Sequence, residues 1–229
     1  AQTFQMVVNT PFDNAYKTAF DFADIDNDGD QDLLMLGDMR VSSLPQSVND
    51  FVRLYTNDGN GNFSEVLNTP FTRSLESGAI AFADVDQDND QDVIVTGLDY
   101  LFDPYTTLYL NDGSGNFSPV SPSPFTNLFG GDIEFADVDG DSDLDVFIAG
   151  PFMAFPNPGQ FSRVTELYIN DGAGNFTLKP NTPFYNLGDT RIDLADMDLD
   201  GDLDMLQMGT SDWGLYIVEA YLNDGAGNF

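Results

Sequence analysis

The sequence predicts an all-β protein built from four copies of one antiparallel sheet. Three observations carry this prediction. Short apolar runs follow the two-residue period of strands, turn motifs recur at fixed spacing, and the 229 residues show no helical periodicity. The recurring motifs matter most, because self-similarity at a fixed period defines a repeat architecture.

Three motifs each occur four times. An acidic nonapeptide, D-x-D-x-D-x-D-x-D, starts at Asp24, Asp84, Asp137 and Asp196. The sequence N-D-G-x-G-N-F starts at Asn57, Asn111, Asn170 and Asn223, and a [TS]-P-F motif contains Pro11, Pro70, Pro124 and Pro183. The motifs divide a single domain into repeats of about 13–71, 72–125, 126–184 and 185–229, the last completed by residues 1–12.

Each repeat contains four predicted strands, A to D. Strand A alternates before the nonapeptide (residues 19–23, 80–83, 133–136 and 192–195), and strand B is the apolar run after it (33–36, 93–96, 146–149 and 205–208). We predict that a glycine ends each strand B, at Gly37, Gly97, Gly150 and Gly209. Strand C precedes N-D-G, a strong hairpin signal because these residues tolerate positive φ. Strand D follows the turn until proline ends it.

Four repeats of this kind match the blades of a β-propeller. The chain opens in a strand D and ends in the turn after a strand C, so that sixteen predicted strands make four four-stranded antiparallel blades. We predict that the N-terminal strand completes the last blade and closes the ring, which removes exposed sheet edges. A fragment of a larger ring and two chains forming eight blades are the alternatives.

The nonapeptides predict metal sites. Carboxylates at loop positions 1, 3, 5 and 9, with a backbone carbonyl at position 7, follow the ligand spacing of an EF-hand loop without its flanking helices. Oxygen-only ligands in irregular geometry select calcium, which also removes the repulsion among the carboxylates. We predict structural Ca2+, about one per repeat and four in all. The candidate ligands are Asp24, Asp26, Asp28, Asp30, Asp32, Asp84, Asp86, Asp88, Asp90, Asp92, Asp137, Asp139, Asp141, Asp143, Asp145, Asp196, Asp198, Asp200, Asp202 and Asp204.

The four loops differ at position 6, which requires a left-handed backbone. Gly29 and Gly201 supply it freely and Asn89 at little cost, whereas Ser142 is a poor residue there and Gly140 lies two places early. We expect the third site to be the weakest or the most distorted. The N-D-G aspartates could bind a second cation, but we favour a plain hairpin turn.

Composition excludes several functions. The chain has 39 acidic and 7 basic residues, a formal charge of −32, no histidine and no cysteine. Catalysis that depends on histidine or cysteine, common zinc sites and disulfides are therefore excluded. Nucleic acid and anionic membranes are poor partners for so acidic a surface, and no apolar run is long enough for membrane insertion. No isolated carboxylate pair stands out, so we expect a protein that is not an enzyme, with an acid glycosidase as the alternative.

The D-x-D-x-D-G-x-x-D loops, the glycine after strand B and the N-D-G-x-G-x-F turns resemble the FG-GAP or VCBS repeat family, the calcium-binding blades of integrin-α-type propellers. The resemblance covers nearly the whole chain, but this sequence has four repeats where integrin-like rings have seven blades. The resemblance implies an extracellular module, secreted or at the cell surface, for adhesion or ligand binding. Some such modules are lectins, and others are appendages of larger secreted enzymes.

Strand parity places the metal loops and N-D-G turns at one end of the sheets and the variable B–C loops at the other. Function usually lies on variable loops carried by a rigid scaffold, and aromatic loops suit sugar or protein recognition. Packing between blades is the alternative role for these side chains, and self-association into a structural assembly is the alternative function. We predict an extracellular glycan or protein ligand, bound by Arg40, Tyr100, Phe102, Tyr105, Phe152, Phe155 and Trp213.

Overall fold

The computed structural model describes residues 6–8, 10–12, 14–39, 50–153 and 161–229, which form sixteen strands and no helix. None of this described part contains a helix that could cross a membrane. The strands are β1 (Tyr16–Ala23), β2 (Asp32–Asp38), β3 (Asp50–Asn57), β4 (Phe63–Glu65), β5 (Leu75–Glu76), β6 (Ile80–Ala83), β7 (Asp92–Asp99), β8 (Pro104–Asn111), β9 (Phe117–Pro119), β10 (Asp132–Ala136), β11 (Asp145–Met153), β12 (Phe161–Ile169), β13 (Thr177–Leu178), β14 (Gly188–Ala195), β15 (Asp204–Thr210) and β16 (Tyr216–Tyr221).

The strands form four antiparallel sheets in chain order. Sheet 1 contains β1–β4, sheet 2 contains β5–β9, sheet 3 contains β10–β13 and sheet 4 contains β14–β16. Each acidic nonapeptide ends at the first residue of a strand B, which is β2, β7, β11 or β15. Each N-D-G turn begins at or just after the end of a strand C, which is β3, β8, β12 or β16. Predicted strands A, B and C are therefore confirmed in all four repeats, and strand D in the first three. The short strand β5, which pairs with the end of β7, has no counterpart in the sequence-based prediction.

Neighbouring sheets share apolar clusters. Leu34 of sheet 1 and Val93 of sheet 2 belong to one buried cluster, Ile94 and Val146 join sheets 2 and 3, and a third cluster joins sheets 3 and 4. The inner strands β1, β6, β10 and β14 contact one another in succession. Burial against neighbouring sheets therefore stabilises each sheet, on both sides for sheets 2 and 3 and on one side for sheets 1 and 4.

An aromatic triad recurs within each sheet. The phenylalanine of [TS]-P-F packs against a strand-C tyrosine and the N-D-G phenylalanine, with ring centroids 4.7–5.4 Å apart. Such pairs contribute about 0.5–1.5 kcal/mol beyond the area they bury. The triad explains why both motifs end in phenylalanine. Its four copies are Phe12–Tyr55–Phe63, Phe71–Tyr109–Phe117, Phe125–Tyr168–Phe176 and Phe184–Tyr221–Phe229.

Strand B does not end at its glycine, and that prediction was wrong. Strands β2, β7, β11 and β15 continue one to three residues beyond Gly37, Gly97, Gly150 and Gly209. A Cβ at Gly37 would lie 2.7 Å from Thr18 Cγ2, and one at Gly209 would lie 2.7 Å from the Gly188 carbonyl oxygen. Close approach of the neighbouring strand, where β1 and β14 carry register shifts, therefore requires these glycines.

The predicted ring closure finds no counterpart among the described residues. Residues 6–8 are exposed and outside any strand, and sheet 4 has three strands there. Phe20 and Phe22 of β1 and Val218 of β16 are exposed apolar side chains. The described sheets thus end in two apolar faces, one on sheet 1 and one on sheet 4, and the closed four-bladed ring stays a prediction.

Candidate metal centres

Each of the four nonapeptides, here loops 1 to 4 in chain order, brings three carboxylates together. The grouped oxygens lie within 4.8 Å of one another. Loops 1, 2 and 4 group positions 1, 3 and 9, whereas loop 3 groups positions 1, 3 and 5. The groups are Asp24–Asp26–Asp32, Asp84–Asp86–Asp92, Asp137–Asp139–Asp141 and Asp196–Asp198–Asp204.

The carboxylate at position 1 shapes its loop. In loop 1, Asp24 accepts hydrogen bonds from the backbone N–H groups of Asp28 (3.1 Å) and Gly29 (3.0 Å). In loop 4, Asp196 accepts them from Leu199 (2.7 Å) and Gly201 (3.2 Å). Aspartate favours such local turns, because its short side chain reaches the backbone of the residues that follow. The chain therefore curls around this side chain and places its carboxylate at the centre of the loop.

The carboxylate at position 9 is buried and joins the loop to the N-D-G turn. Each accepts two backbone N–H bonds of 2.8–3.2 Å, one from loop position 2 and one from the N-D-G asparagine. Burial nonetheless raises the pKa of Asp92 to about 7 and that of Asp145 to about 6. Two hydrogen bonds thus do not offset desolvation, and a cation beside the carboxylate would. The four residues, at most 1% exposed, are Asp32, Asp92, Asp145 and Asp204.

Position 3 supplies a buried oxygen without a hydrogen-bond partner. This is Oδ1 of Asp26, Asp86 and Asp139 in loops 1 to 3. Burial and the charge of the next aspartate raise the pKa of Asp86 and of Asp139. An unpartnered buried carboxylate oxygen is costly unless a cation binds it. The loops therefore fit Ca2+, which takes six to eight carboxylate, carbonyl and water oxygens.

Positions 5 and 7 have further contacts of their own. The position 5 carboxylate accepts the backbone N–H of position 7 in every loop, at 3.0–3.1 Å. The position 7 carboxylate lies at the N-D-G turn: Asp90 Oδ1 accepts a hydrogen bond of 2.8 Å from Asn27 of loop 1. A Cβ at Gly113 would lie 2.5 Å from the Asp90 carboxylate, so the glycine of N-D-G is required there. Of the twenty predicted ligands, the structure groups twelve. The eight outside the groups are the four position 7 side chains, position 5 of loops 1, 2 and 4, and position 9 of loop 3.

Two positions of each loop adopt a left-handed backbone, where the sequence indicated one. At position 6, φ is 76° at Ser142 and 105° at Gly201. At position 4, φ is 78° at Gly140 and 67° at Leu199. Gly140 therefore fits position 4, which corrects the expectation that it lies two places early. Loop 3 is strained at Ser142 and loop 4 at Leu199, because side chains disfavour this region.

The N-D-G aspartates are occupied by their own turns. Asp112 accepts hydrogen bonds of 3.1–3.3 Å from the backbone of Ser114 and Asn116 and from the Asn116 side chain. The Asn116 side chain is the main cause that lowers the pKa of Asp112. Asparagine or backbone hydrogen bonds lower the pKa of Asp58, Asp171 and Asp224 in the same way. The first three turns connect paired antiparallel strands and are hairpin turns held by an aspartate, as the sequence favours.

One hydrogen bond recurs at every junction between consecutive sheets. Nδ2 of the N-D-G asparagine donates to the backbone carbonyl of loop position 2 in the preceding sheet. The same asparagine offers its N–H to the position 9 aspartate of its own loop, so each junction couples two loops. The junction bonds join Asn111 to Ile25 (2.8 Å), Asn170 to Val85 (2.7 Å) and Asn223 to Val138 (2.7 Å).

At the opposite end, the aromatic candidates do not form one surface. Tyr105 and Phe152 line a cleft of about 570 Å³ together with Arg73 and Asp103. The Arg73 guanidinium lies 4.7 Å from the centre of the Tyr105 ring, and it forms an ion pair of 3.0 Å with Asp99. The cleft therefore offers an aromatic wall and charged groups of both signs.

The remaining candidates lie apart from this cleft. Tyr100 and Phe102 are exposed on the turn between β7 and β8, and Trp213 is exposed on the turn between β15 and β16. Trp213 is 89% exposed, so it packs against almost nothing in the described residues. Arg40 and Phe155 lie outside the described residues.

Comparison with known proteins identifies the family. The model of the FG-GAP-like repeat matches residues 24–95 and 98–148, which is more than half of the chain. The chain belongs to the FG-GAP-like repeat family, as its motifs predict. No curated protein matches it significantly. Among solved structures, an endo-arabinase from Bacteroides thetaiotaomicron VPI-5482 is similar over 88% of this chain and 74% of its own, with 13% identity and a TM-score of 0.44.

Proposed function

We propose that the protein is a calcium-stabilised β-propeller module of the extracellular space, secreted or at a cell surface, which binds a ligand and is not an enzyme. The buried, unpartnered position 3 oxygens, which are grouped with the position 9 carboxylate in loops 1 and 2, are the observation that carries the calcium part. Such loops are costly without a cation, and a bound one fixes the connection between two strands of a sheet. The ion supplies charge compensation, and about one per repeat is expected.

Metal counting tests the calcium sites. The chain is stripped with chelator, saturated with Ca2+ and weighed by native mass spectrometry. Asp26→Ala and Asp86→Ala are each expected to lose one ion, because each removes a grouped carboxylate. Asp103→Ala is the control, since Asp103 is exposed and outside the acidic groups. A wild-type chain that binds no calcium at millimolar concentration would contradict this part of the proposal.

The ligand surface is proposed at the end opposite the calcium loops. The cleft beside Tyr105 and Phe152 supports a glycan or protein ligand, because an aromatic wall with a few charged groups gives both contact area and orientation. Binding that depends on calcium is expected, since the loops hold the sheets that form the cleft. Phe152→Ala should weaken binding about tenfold or more, whereas Trp213→Ala tests the exposed turn away from the cleft.

A glycan array in millimolar calcium, repeated with chelator, is the direct test of ligand class. A defined glycan that Phe152→Ala loses and Trp213→Ala retains would support the cleft. The reverse pattern would move the binding surface to the β15–β16 turn. A folded, calcium-loaded chain that binds no glycan would contradict the carbohydrate part and favour a protein ligand.

A structural building block is the second candidate, and the junction hydrogen bond favours it. Three junction asparagines reach the preceding loop, but no such bond is found in the described residues between Asn57 of sheet 1 and Met197, the position 2 residue of loop 4. Sheet 4 therefore presents the acceptor and sheet 1 the donor of one further junction. That junction forms either within one chain, which gives the predicted four-bladed ring, or between chains, which gives a larger ring or a filament.

Cysteine cross-linking distinguishes these outcomes, because the chain contains no native cysteine. Asn27 of loop 1 contacts the Gly113 carbonyl across the first junction. At the open junction Leu199 matches Asn27 and Gly59 matches Gly113, so a cysteine at Asn60 lies directly beside the matching place. A disulfide of Asn60→Cys with Leu199→Cys inside a monomer supports ring closure. The same disulfide between chains, with a larger mass in solution, supports the building block.

A further inference from the structure

A fifth carboxylate group lies far from the acidic loops, at the opposite end of sheet 1. Asp38 ends β2 and Asp50 begins β3, and the two residues face each other in the antiparallel register. Glu76 of β5 joins them from sheet 2, so that oxygens of all three lie within 4.8 Å of one another. The group therefore spans the junction between sheets 1 and 2, and none of the repeated motifs includes it.

Asp50 is left unsatisfied by the described structure. The residue is 3% exposed, and neither Oδ1 nor Oδ2 has a hydrogen-bond partner. Its carboxylate points toward Asp38 and Glu76, which are themselves largely buried. A buried carboxylate with both oxygens unpartnered is among the most costly polar groups in a protein. The geometry therefore calls for a positive ligand between these side chains.

The charges that act on Asp50 come mainly from other carboxylates. Lys17 of β1 is the cation at the group in the described part of the chain, with Nζ 2.6 Å from Glu76 Oε1. Asp99 adds further repulsion but is itself paired with an arginine. Burial and the charges of Glu76 and Asp38 raise the pKa of Asp50 to about 6.

The other sheets carry no such pair at this register. Like charges that face each other on antiparallel strands destabilise a sheet. Since three sheets fold without a carboxylate pair here, the fold itself does not require one. A cation beside the unpartnered Asp50 carboxylate would reduce this repulsion. The equivalent pairs are Leu98–Pro104, Pro151–Arg163 and Thr210–Tyr216.

We propose that Asp38, Asp50 and Glu76 form a further cation site, which binds a hard divalent ion of the calcium class. The three residues offer only carboxylate oxygens, the ligands that such ions prefer. An ion there bridges β2, β3 and β5 and so clamps sheet 1 to sheet 2, whereas each acidic loop joins strands within its own sheet. Lys17 positions Glu76 for this role through their ion pair.

Ion counting on the calcium-saturated full chain tests the site. Asp50→Asn keeps the size of the side chain and removes its charge, so this variant should carry one ion fewer than wild type. Asp103→Asn is the matched control: it removes an exposed carboxylate at the same end of the sheets and should keep the full count. The comparison between variants is independent of how many acidic loops are filled.

Thermal melting is a second test, because the difference in melting temperature between Asp50→Asn and wild type should change sign when calcium is added. In chelator, Asp50→Asn should melt a few degrees above wild type, because the repulsion is gone. In millimolar calcium it should melt a few degrees below wild type, because the clamp is lost. If Asp50→Asn does not fold, Glu76→Gln tests the same ion count.

Two results would overturn the proposal. One is an unchanged ion count in Asp50→Asn. The other is an Asp50→Asn variant that melts at or above the wild-type temperature in both chelator and calcium. Either result would mean that Asp50 shares a proton with its neighbours instead of binding a metal ion.

Discussion

The two ends of the sheets differ in how far their residues and contacts repeat from one sheet to the next. At the loop end, every repeat makes the same bonds: position 9 to the N-D-G turn, and, across each described junction, an asparagine to the preceding loop. At the opposite end, the residues at one register are Asp38, Leu98, Pro151 and Thr210, which share no chemistry. The difference supports the proposal that the loop end stabilises the protein and that the opposite end binds the ligand.

Chelation should produce the largest effect and should act first on the loop end. Each filled site contributes about 2.7 kcal/mol when calcium is a hundredfold above its dissociation constant, so several sites together rival the stability of a whole domain. We expect the melting temperature to fall steeply in excess chelator, as followed by circular dichroism. An unchanged melting curve would contradict the claim that calcium at the loop end stabilises the protein.

Two aspartates of loop 4 should differ sharply in their effect on stability. Asp204→Ala removes the acceptor of two N–H groups, the buried one of Asn223 and the part-buried one of Met197, and an unsatisfied buried donor costs about 1–3 kcal/mol. Asp202→Ala should change the melting temperature little, because this side chain lies outside the carboxylate group and crowds Gly225. Chemical denaturation of both variants in calcium measures the difference. Equal losses would mean that the bridge from position 9 is unimportant.

The pH dependence of stability should reverse with calcium. Without metal, burial holds the pKa of Asp92 near 7 and that of Asp145 near 6, above the ordinary value of an aspartate. The folded state then binds more protons than the unfolded state between about pH 4 and 7, so stability rises as pH falls through that range. With calcium bound, protons compete with the ion and stability should fall as pH falls. Melting temperatures from pH 7.5 to 5, with and without chelator, test this sign.

The smallest predicted effect concerns strain within a single loop. Leu199 is 87% exposed and has φ of 67°, so Leu199→Gly removes little packing and relieves a left-handed side-chain clash. We expect a gain of up to about 1 kcal/mol in the free energy of unfolding. Leu215→Gly is the control, because Leu215 is also exposed but has no positive φ. A loss of stability in Leu199→Gly would show that Leu199 contacts something at the open junction.

The features that recur in every repeat were predictable from the sequence, whereas the contacts between residues distant in the sequence were not. Four copies of each motif give the strands, the turns and the carboxylates of the loops, because local spacing decides these features. The position 9 aspartate also joins its loop to the N-D-G turn, because it accepts a hydrogen bond from the backbone of Asn57, Asn111, Asn170 or Asn223. Such contacts between motifs that are distant in the sequence leave no local pattern. The regular occurrence of asparagine before D-G was the available signal.

The aromatic and acidic features of the opposite end show the same limit. Six of the seven candidates are aromatic and all seven were assigned to one set of loops, yet of those in the described residues only Tyr105 and Phe152 line one cleft. The group of Asp38, Asp50 and Glu76 was missed, since its members belong to three strands and two sheets. Strand register and sheet packing brought them together, and neither was fixed by spacing in the chain.

In the described residues, the junction asparagines join the four sheets in a row, so that each sheet is coupled to the sheets beside it. Among the described residues, sheets 2 and 3 have a junction on both sides, and sheets 1 and 4 have one. Fraying should therefore begin at the outer sheets, and amide hydrogen exchange should advance inward from them. Calcium lost from loop 2 weakens two neighbours, whereas calcium lost from loop 4 weakens one. The order in which the sites lose calcium then decides whether unfolding begins at an outer sheet or at the junctions of an inner sheet.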